Sequence, residues 1–234
     1  MSLLDFLSSK ITVEKAALYN GLIDYHSHIL PNVDDGVKTI EESLAILSLY
    51  ESWGVKEIYC TPHIMEDIPN TTSDLKERFS TLQQAYSGSI QLHLAAEYMI
   101  DMLFTERLNA KDLLPLGNDH LLVETSYFSA PSYFYSVIDA IKSEGLWVVL
   151  AHPERYTYMK EKDYIRLKEQ GIKFQLNLHS LWGAYGSSAQ TKAEQLLSKG
   201  MYDICGTDIH HIDNQTPQQR VHKNCLNAYH IMSL

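Results

Sequence analysis

Residues 24 to 36 read DYHSHILPNVDDG. Two histidines one residue apart close an apolar run, and a turn with two aspartates follows at once. Imidazole nitrogens and carboxylate oxygens are ordinary donors to zinc, manganese or iron. The period of two along a strand puts His26 and His28 on one face, where both can aim at one ion. Taken alone, HxH is as readily a polar strand end facing solvent. Its weight comes from the rest of the chain, where side chains of the same kind recur at the ends of apolar runs. His63 closes VKEIYCTPH, Glu97 closes IQLHLAAE, Glu124 ends the apolar part of HLLVETS, and His152 that of LWVVLAHPE. Asn177 stands in IKFQLNL, and Asp208 with His210 in YDICGTDIH.

With Asp35 from the turn, the candidate metal residues are His26, His28, Asp35, His63, Glu97, Glu124, His152, Asp208 and His210. One ion commonly takes three or four protein ligands, so this set suits two or three divalent ions sharing carboxylates. Glu97 and Glu124 follow apolar runs, where an unpaired carboxylate is costly; Glu124 has the alternative of holding a histidine from behind. Arg155, three residues after His152, reads either as half of a surface ion pair or as a guanidinium fork for phosphate, and its neighbours favour the second. Asp34 is left with turn work, while Asp35, beside Gly36, reaches the ions.

His93, His120, His222 and His230 lack strand-end placement and are read as packing or surface residues. His211 points away from its neighbour His210 in an extended segment. His179 is a candidate pocket residue, and Tyr127, Phe128 and Tyr158 are candidate walls of a substrate cleft.

The elements that must position these residues alternate. Seven short apolar runs are separated by longer segments of helical period, the pattern of a parallel sheet with crossover helices. Thr39 to Glu42 is a capping box opening TIEESLAILSLYESWG, whose Ile40, Leu44 and Leu47 share a face. Pro131 opens PSYFYSVIDAIKSEG, and Gly54, Gly145, Gly171 and Gly200 stand where helices stop. No linker interrupts the series, so residues 21–234 read as one domain after an extension of residues 1–20, which suits a short amphipathic helix. In a barrel of parallel strands, the C-terminal ends share one face, and enzymes of that architecture build their sites there.

The chain has 234 residues, 29 acidic against 19 basic, for a formal charge of -10. That charge repels nucleic acid and anionic lipid. Two or three divalent ions would reverse the sign locally and draw an anionic substrate. Cys60, Cys205 and Cys225 form no CxxC pair and no even framework, as expected in a reducing cytosol. No run approaches the roughly 20 apolar residues of a membrane span, and the N-terminus carries no signal pattern. The expectation is a soluble, cytoplasmic protein.

The set DYHSHILPNVDDG, TPHIM, AAEYM, LLVETS, AHPERY and GTDIHH resembles the polymerase and histidinol phosphatase (PHP) superfamily. Within it, HSHILPNVDDG together with AHPERY is similar to the manganese-dependent protein-tyrosine phosphatases of bacterial capsule and exopolysaccharide operons. The likeness spans about residues 21 to 215. It implies an α/β fold, a distorted seven-stranded (β/α) TIM-like barrel, with a trinuclear centre held by the nine residues named above. It implies manganese first, with iron or zinc as alternatives, and Arg155 as the phosphate-binding arginine. The partner it implies is a phosphotyrosine protein, the tyrosine-rich tail of a polysaccharide-assembly kinase. The last motif departs from the common pattern, and Gln215 stands where some relatives carry a second arginine; Arg220 is a speculative substitute.

The chemistry expected is in-line attack of a metal-held hydroxide on phosphorus, with Arg155 orienting the phosphate. His210 is a candidate proton donor to the leaving phenolate, which at a pKa of about 10 needs little help. The cysteine route to phosphotyrosine is excluded, since no cysteine precedes an arginine at loop distance. Two alternatives stand beside this reading: a phosphoesterase for histidinol phosphate or a nucleotide, and a metal-bound regulatory module without turnover.

Overall fold

Each of the seven apolar runs forms a parallel strand in the computed structural model, which describes residues 9–212 and 219–223. They are β2 (Ile23–Ser27), β3 and β4 (Glu57–Cys60 and His63–Ile64), β5 and β6 (Gln91–Leu94 and Glu97–Met99), β7 (His120–Glu124), β8 (Trp147–Leu150), β9 (Lys173–Asn177) and β10 (Ile204–Gly206). Two runs are broken in the middle. Pro62 has no N–H to give a ladder and bends the second run between β3 and β4, and the third breaks at Ala95 and Ala96. The result is a six-stranded sheet in the order β10-β9-β8-β7-β6-β4 and a three-stranded sheet β2-β3-β5, where sequence suggests one set of seven.

The two sheets meet along both seams. At one, the chain itself runs on from β3 into β4 and from β5 into β6; within each sheet, the N–H of Ala95 donates to Cys60 O at 2.9 Å and that of Glu97 to Pro62 O at 3.1 Å, so the two ladders follow one another. At the other, Asp208 N donates to His26 O at 2.7 Å and His28 N to Ile209 O at 2.9 Å. Inside the curl lies a small apolar cluster of Tyr25, Ala95, Leu116, Leu122, Val149, Ala151 and Ile204. The larger core lies between strands and helices, with Tyr50, Phe104, Phe174 and Ile58 among its fully buried members.

The crossover helices are α2 (Ile40–Trp53), α3 (Thr72–Ala85), α4 (Met102–Ala110), α5 (Phe134–Ser143), α6 (Glu161–Glu169) and α7 (Ser187–Ser198), preceded by the single turn α1 (Val13–Ala16). The capping box of α2 is formed: Glu42 N donates to Thr39 Oγ1 and Thr39 N to Glu42 Oε2. Gly54 then ends α2 at φ 87°, a conformation that a side chain would strain. Helix α5 starts at Phe134, one turn after Pro131, whose carbonyl accepts the Phe134 N–H.

In the extension, β1 (Lys10–Thr12) pairs antiparallel with β11 (Arg220–His222). Val13, Leu18 and Tyr19 are buried in the main core, so residues 10–20 are packed on the body of the protein. Among the described residues of the extension, the helix is the four-residue α1; the rest of the stretch on which an amphipathic helix is expected, residues 1–8, lies outside the described set. Among the described residues, no helix is long and apolar enough to cross a membrane.

Candidate metal centre

Four overlapping groups of ligand-type side chains gather at the C-terminal ends of the strands. They are His28, Asp35, His63 and His210; His26, His28 and Asp208; His26, Glu97 and His152; and His63, Glu97 and Glu124, with the ligand atoms of each group within 4.8 Å of one another. All nine sequence candidates belong to at least one group.

Local backbone devices bring them there. Ile23 and Tyr25 pack on the inner cluster, so strict alternation would turn His26 away from it. The register of β2 against β3 slips between Asp24 and Ser27, and such an irregularity re-aims side chains. His26 Nε2 then lies 3.1 Å from His28 Nε2 and 3.1 Å from Glu97 Oε2. Two glycines allow the close packing: a Cβ on Gly206 would come within 2.4 Å of His26 Cβ, and one on Gly36 within 2.1 Å of the His28 carbonyl oxygen. His152 and Asp208 adopt positive φ, 31° and 54°. Strain of that kind persists only where the surroundings over-determine it, and it clusters at functional sites.

Glu97 is the hub. Its Oε2 lies 3.1 Å from His26 Nε2, 3.4 Å from His28 Nε2 and 3.2 Å from His63 Nδ1. Yet that oxygen and His63 Nδ1 are buried without an aligned hydrogen-bond partner among the described residues. Its other oxygen accepts from His152 Nε2 at 3.0 Å. Glu124 Oε1 is 3.2 Å from His63 Nδ1, and Asp208 Oδ1 is 3.3 Å from His28 Nε2. A buried carboxylate costs several kcal/mol unless compensated. Ringed donors that fail to align with each other suit a cation between them, so the set fits divalent ions.

The titration behaviour carries the same sign. Burial alone would lower His26, but Glu97 and Asp208 lift it to about 9. His28 also rises well above its ordinary value: burial opposes this, and Asp34 and Asp208 overcome it. Glu97 and Asp208 are held far below the usual carboxylate range against their burial, by His26 and, respectively, by His63 and His28. Without ions, imidazolium supplies the positive charge that the carboxylates demand, and ion binding would displace those protons.

Other side chains hold this set from behind. Asp34 is more than a turn residue: its Oδ2 accepts from His28 Nδ1 at 2.8 Å and from His63 N at 3.1 Å. Asn177 is no candidate ligand here; its Nδ2 donates to Asp208 Oδ2 at 2.8 Å. Arg155 Nη1 also donates to Asp208 Oδ2, at 2.7 Å, and its guanidinium lies between the rings of Tyr127 and Tyr185, 4.4 and 4.2 Å from their centroids. The turn carrying Arg155 is pinned by buried Glu154, whose Oε1 accepts from Asn177 N and Ser180 Oγ and whose Oε2 accepts from Tyr202. Sequence reasoning left Gln175, Tyr185 and Glu154 unassigned. Gln175 alone gave a signal, a polar residue inside an apolar strand two before Asn177.

The remaining candidates divide. Tyr127 stands beside Arg155, Tyr158 bonds Thr125 Oγ1, and Phe128 projects with 78% of its surface exposed. His179 is buried, 3.5 Å from the Tyr19 hydroxyl and against Trp182. His93 pairs with Glu57, His120 with Asp119 and His222 with Glu194. Arg220 donates to Lys10 O in the two-stranded sheet. Gln215, Cys225 and His230 lie outside the described residues. Cys60 is buried, which pushes its thiol far above the ordinary value, the reverse of a nucleophilic cysteine.

Residues 22–230 match the family described as capsular polysaccharide synthesis, CpsB/CapC. The chain belongs to this family. Among its CpsB/CapC relatives are a tyrosine-protein phosphatase CpsB of Streptococcus agalactiae, 29% identical over 217 residues that cover 84% of this chain and 86% of the relative. Another is a putative tyrosine-protein phosphatase CapC of Staphylococcus aureus, 26% identical over 202 residues, 83% of this chain and 79% of the relative. The fold is that of a solved structure described among YwqE from Bacillus subtilis and CpsB from Streptococcus pneumoniae, metal-dependent tyrosine phosphatases. The match has a TM-score of 0.77 at 23% identity and covers 89% of this chain and 85% of that one.

Proposed function

We propose that this CpsB/CapC chain is a metal-dependent protein-tyrosine phosphatase whose centre is formed by His26, His28, Asp35, His63, Glu97, Glu124, His152, Asp208 and His210. The observation that carries the reading is Glu97 Oε2, buried among three imidazole nitrogens at 3.1 to 3.4 Å and aligned with none of them. Two or three ions, manganese first, satisfy such a set, and the naming of relatives as tyrosine phosphatases supports the substrate class. We read the two sheets, joined by continuous chain at one seam and by hydrogen bonds at the other, as one distorted seven-stranded barrel that brings these strand ends to a single mouth.

Bound ions would supply Lewis acidity toward phosphate oxygens and lower the pKa of a nearby water. The chain's own groups do the rest. Arg155, fixed by Asp208 and by two aromatic rings, offers its remaining N–H groups to the phosphate and adds positive charge where the transition state gathers negative. Tyr127 and Tyr185 keep that guanidinium from swinging away. His210 donates from Nδ1 to the Asp208 carbonyl, so only Nε2 is left, 3.3 Å from Asp35 Oδ1. One nitrogen cannot both hold an ion and carry a proton, so the two roles expected of His210 exclude each other. Its group with His28, Asp35 and His63 favours the ion. The phenolate, with a pKa of about 10, then leaves without a dedicated acid.

The substrate proposed is a phosphotyrosine segment of a polysaccharide-assembly kinase, met in the cytoplasm. Turnover of a phosphotyrosine peptide compared with histidinol phosphate and a nucleotide tests the reading. Preference for the peptide is expected; preference for either small substrate overturns the substrate class, and manganese binding without any turnover points to a regulatory module.

A further inference from the structure

Gln175 sits in β9 with no exposed surface, beneath two imidazole-bearing residues. Its Oε1 lies 3.0 Å from the backbone N of His152 and 3.1 Å from Nδ1 of His26, and its Nε2 donates to Leu176 O at 2.7 Å. A backbone N–H can only donate, so the atom facing His152 is the amide oxygen and the orientation of the amide is fixed. The same oxygen faces His26 Nδ1. An acceptor there requires that Nδ1 carry a proton, which leaves Nε2 as the nitrogen turned toward Glu97 and Asp208. The other bond holds the backbone of His152 at its positive φ of 31°, which a non-glycine residue adopts only when restrained. His26, His152 and Glu97 form one of the metal-sized groups.

We propose that Gln175 is a positioning residue for the metal centre: one neutral amide oxygen sets the tautomer of His26 and the backbone of His152 together. The inference rests on the metal-centre reading above. A carboxylate in that place would orient His26 as well, but would add another negative charge to the four that the groups already hold, Asp35, Glu97, Glu124 and Asp208. The amide orients without changing the charge that the ions must balance.

The test uses the full chain stripped of metal, with manganese affinity measured by competition against a chelator. Gln175→Leu removes the acceptor and is expected to weaken manganese binding by about 10- to 100-fold. Gln175→Glu keeps an acceptor at the same reach and is expected to recover most of that loss. Leu binding manganese as tightly as the unaltered chain overturns the proposal, and so does Glu failing as badly as Leu, which would leave only a packing role. Should the Leu variant not fold, side-chain nitrogen-15 spectra of the unaltered, zinc-loaded chain decide: a protonated Nδ1 on His26 supports the proposal and a protonated Nε2 overturns it. An unaltered chain that binds neither metal refutes the metal-centre reading itself, which no loss confined to the variants would do.

Discussion

At the floor of the site, His26, Glu97, His152 and Asp208 are closed off from solvent, and three of them lean on a further fixed side chain or backbone group. Gln175 holds His26 and His152, while Asn177, Arg155 and Tyr185 hold Asp208. At the rim, Asp35 leaves 63% of its side chain exposed, and its ion-pair contacts are the imidazoles of His63 and His210 at 3.6 and 3.3 Å. The floor is held in place by the chain's own groups, which lowers the cost of assembling the site. The rim gives its geometry to the ions and the substrate, and that is the side from which a phosphate must enter.

The difference sets a scale for damage. Glu97→Ala removes the oxygen shared by three imidazoles and is expected to lower kcat/KM on a phosphotyrosine peptide by at least about 1000-fold, about 4 kcal/mol. Arg155→Lys keeps charge but loses the planar fork between Tyr127 and Tyr185; a fall of about 100-fold is expected, with weaker inhibition by inorganic phosphate as a second readout. Asp34→Asn, which weakens the hold on His28, is expected to reduce manganese affinity by about 10- to 100-fold in a chelator competition. Asp35→Asn at the rim is expected to cost only about tenfold in kcat/KM, because the floor stays intact. Should Asp35→Asn cost as much as Glu97→Ala, floor and rim are one unit and the distinction is lost.

A separate effect, on stability rather than turnover, is the dependence on pH in the absence of ions. His26 is raised from 6.5 to about 9, so its contribution is fully present below pH 6.5 and is lost as pH rises through 9. Glu97 and Asp208 are lowered, so theirs is present above the ordinary carboxylate range and is lost as pH falls below it. Metal-stripped protein should therefore melt highest near pH 5 to 6 and lose of order 2 kcal/mol by pH 9. Ions compete with the same protons, so manganese should tighten as pH rises. A calorimetric series with and without manganese checks both slopes; Glu97→Gln should flatten the first.

Much of the floor was legible because its residues end apolar runs, where a polar side chain is conspicuous: Glu97 after IQLHLAA and His152 after WVVLA. The supporting residues were harder to see. Asp34 was given to turn chemistry because Asp–Gly pairs favour turns, although its carboxylate grips His28. Tyr185 comes from a loop after β9 and meets Arg155 only through the fold. Helices α3 and α4 were not singled out, though Thr71 and Asp101 cap them as N-cap residues do. The pairing of β1 with β11 joins segments about 210 positions apart, which no local pattern announces.

The proposed role of the buried histidine and carboxylate floor is that of a metal centre that hydrolyses phosphotyrosine. The most direct measurement is phosphatase activity on a phosphotyrosine peptide after exhaustive chelation, then across added manganese, iron and zinc, with His26→Ala alongside. Activity should vanish on chelation, return with manganese most strongly, and stay absent in His26→Ala. Activity that persists in fully metal-free protein, or that survives undiminished in His26→Ala, contradicts the account.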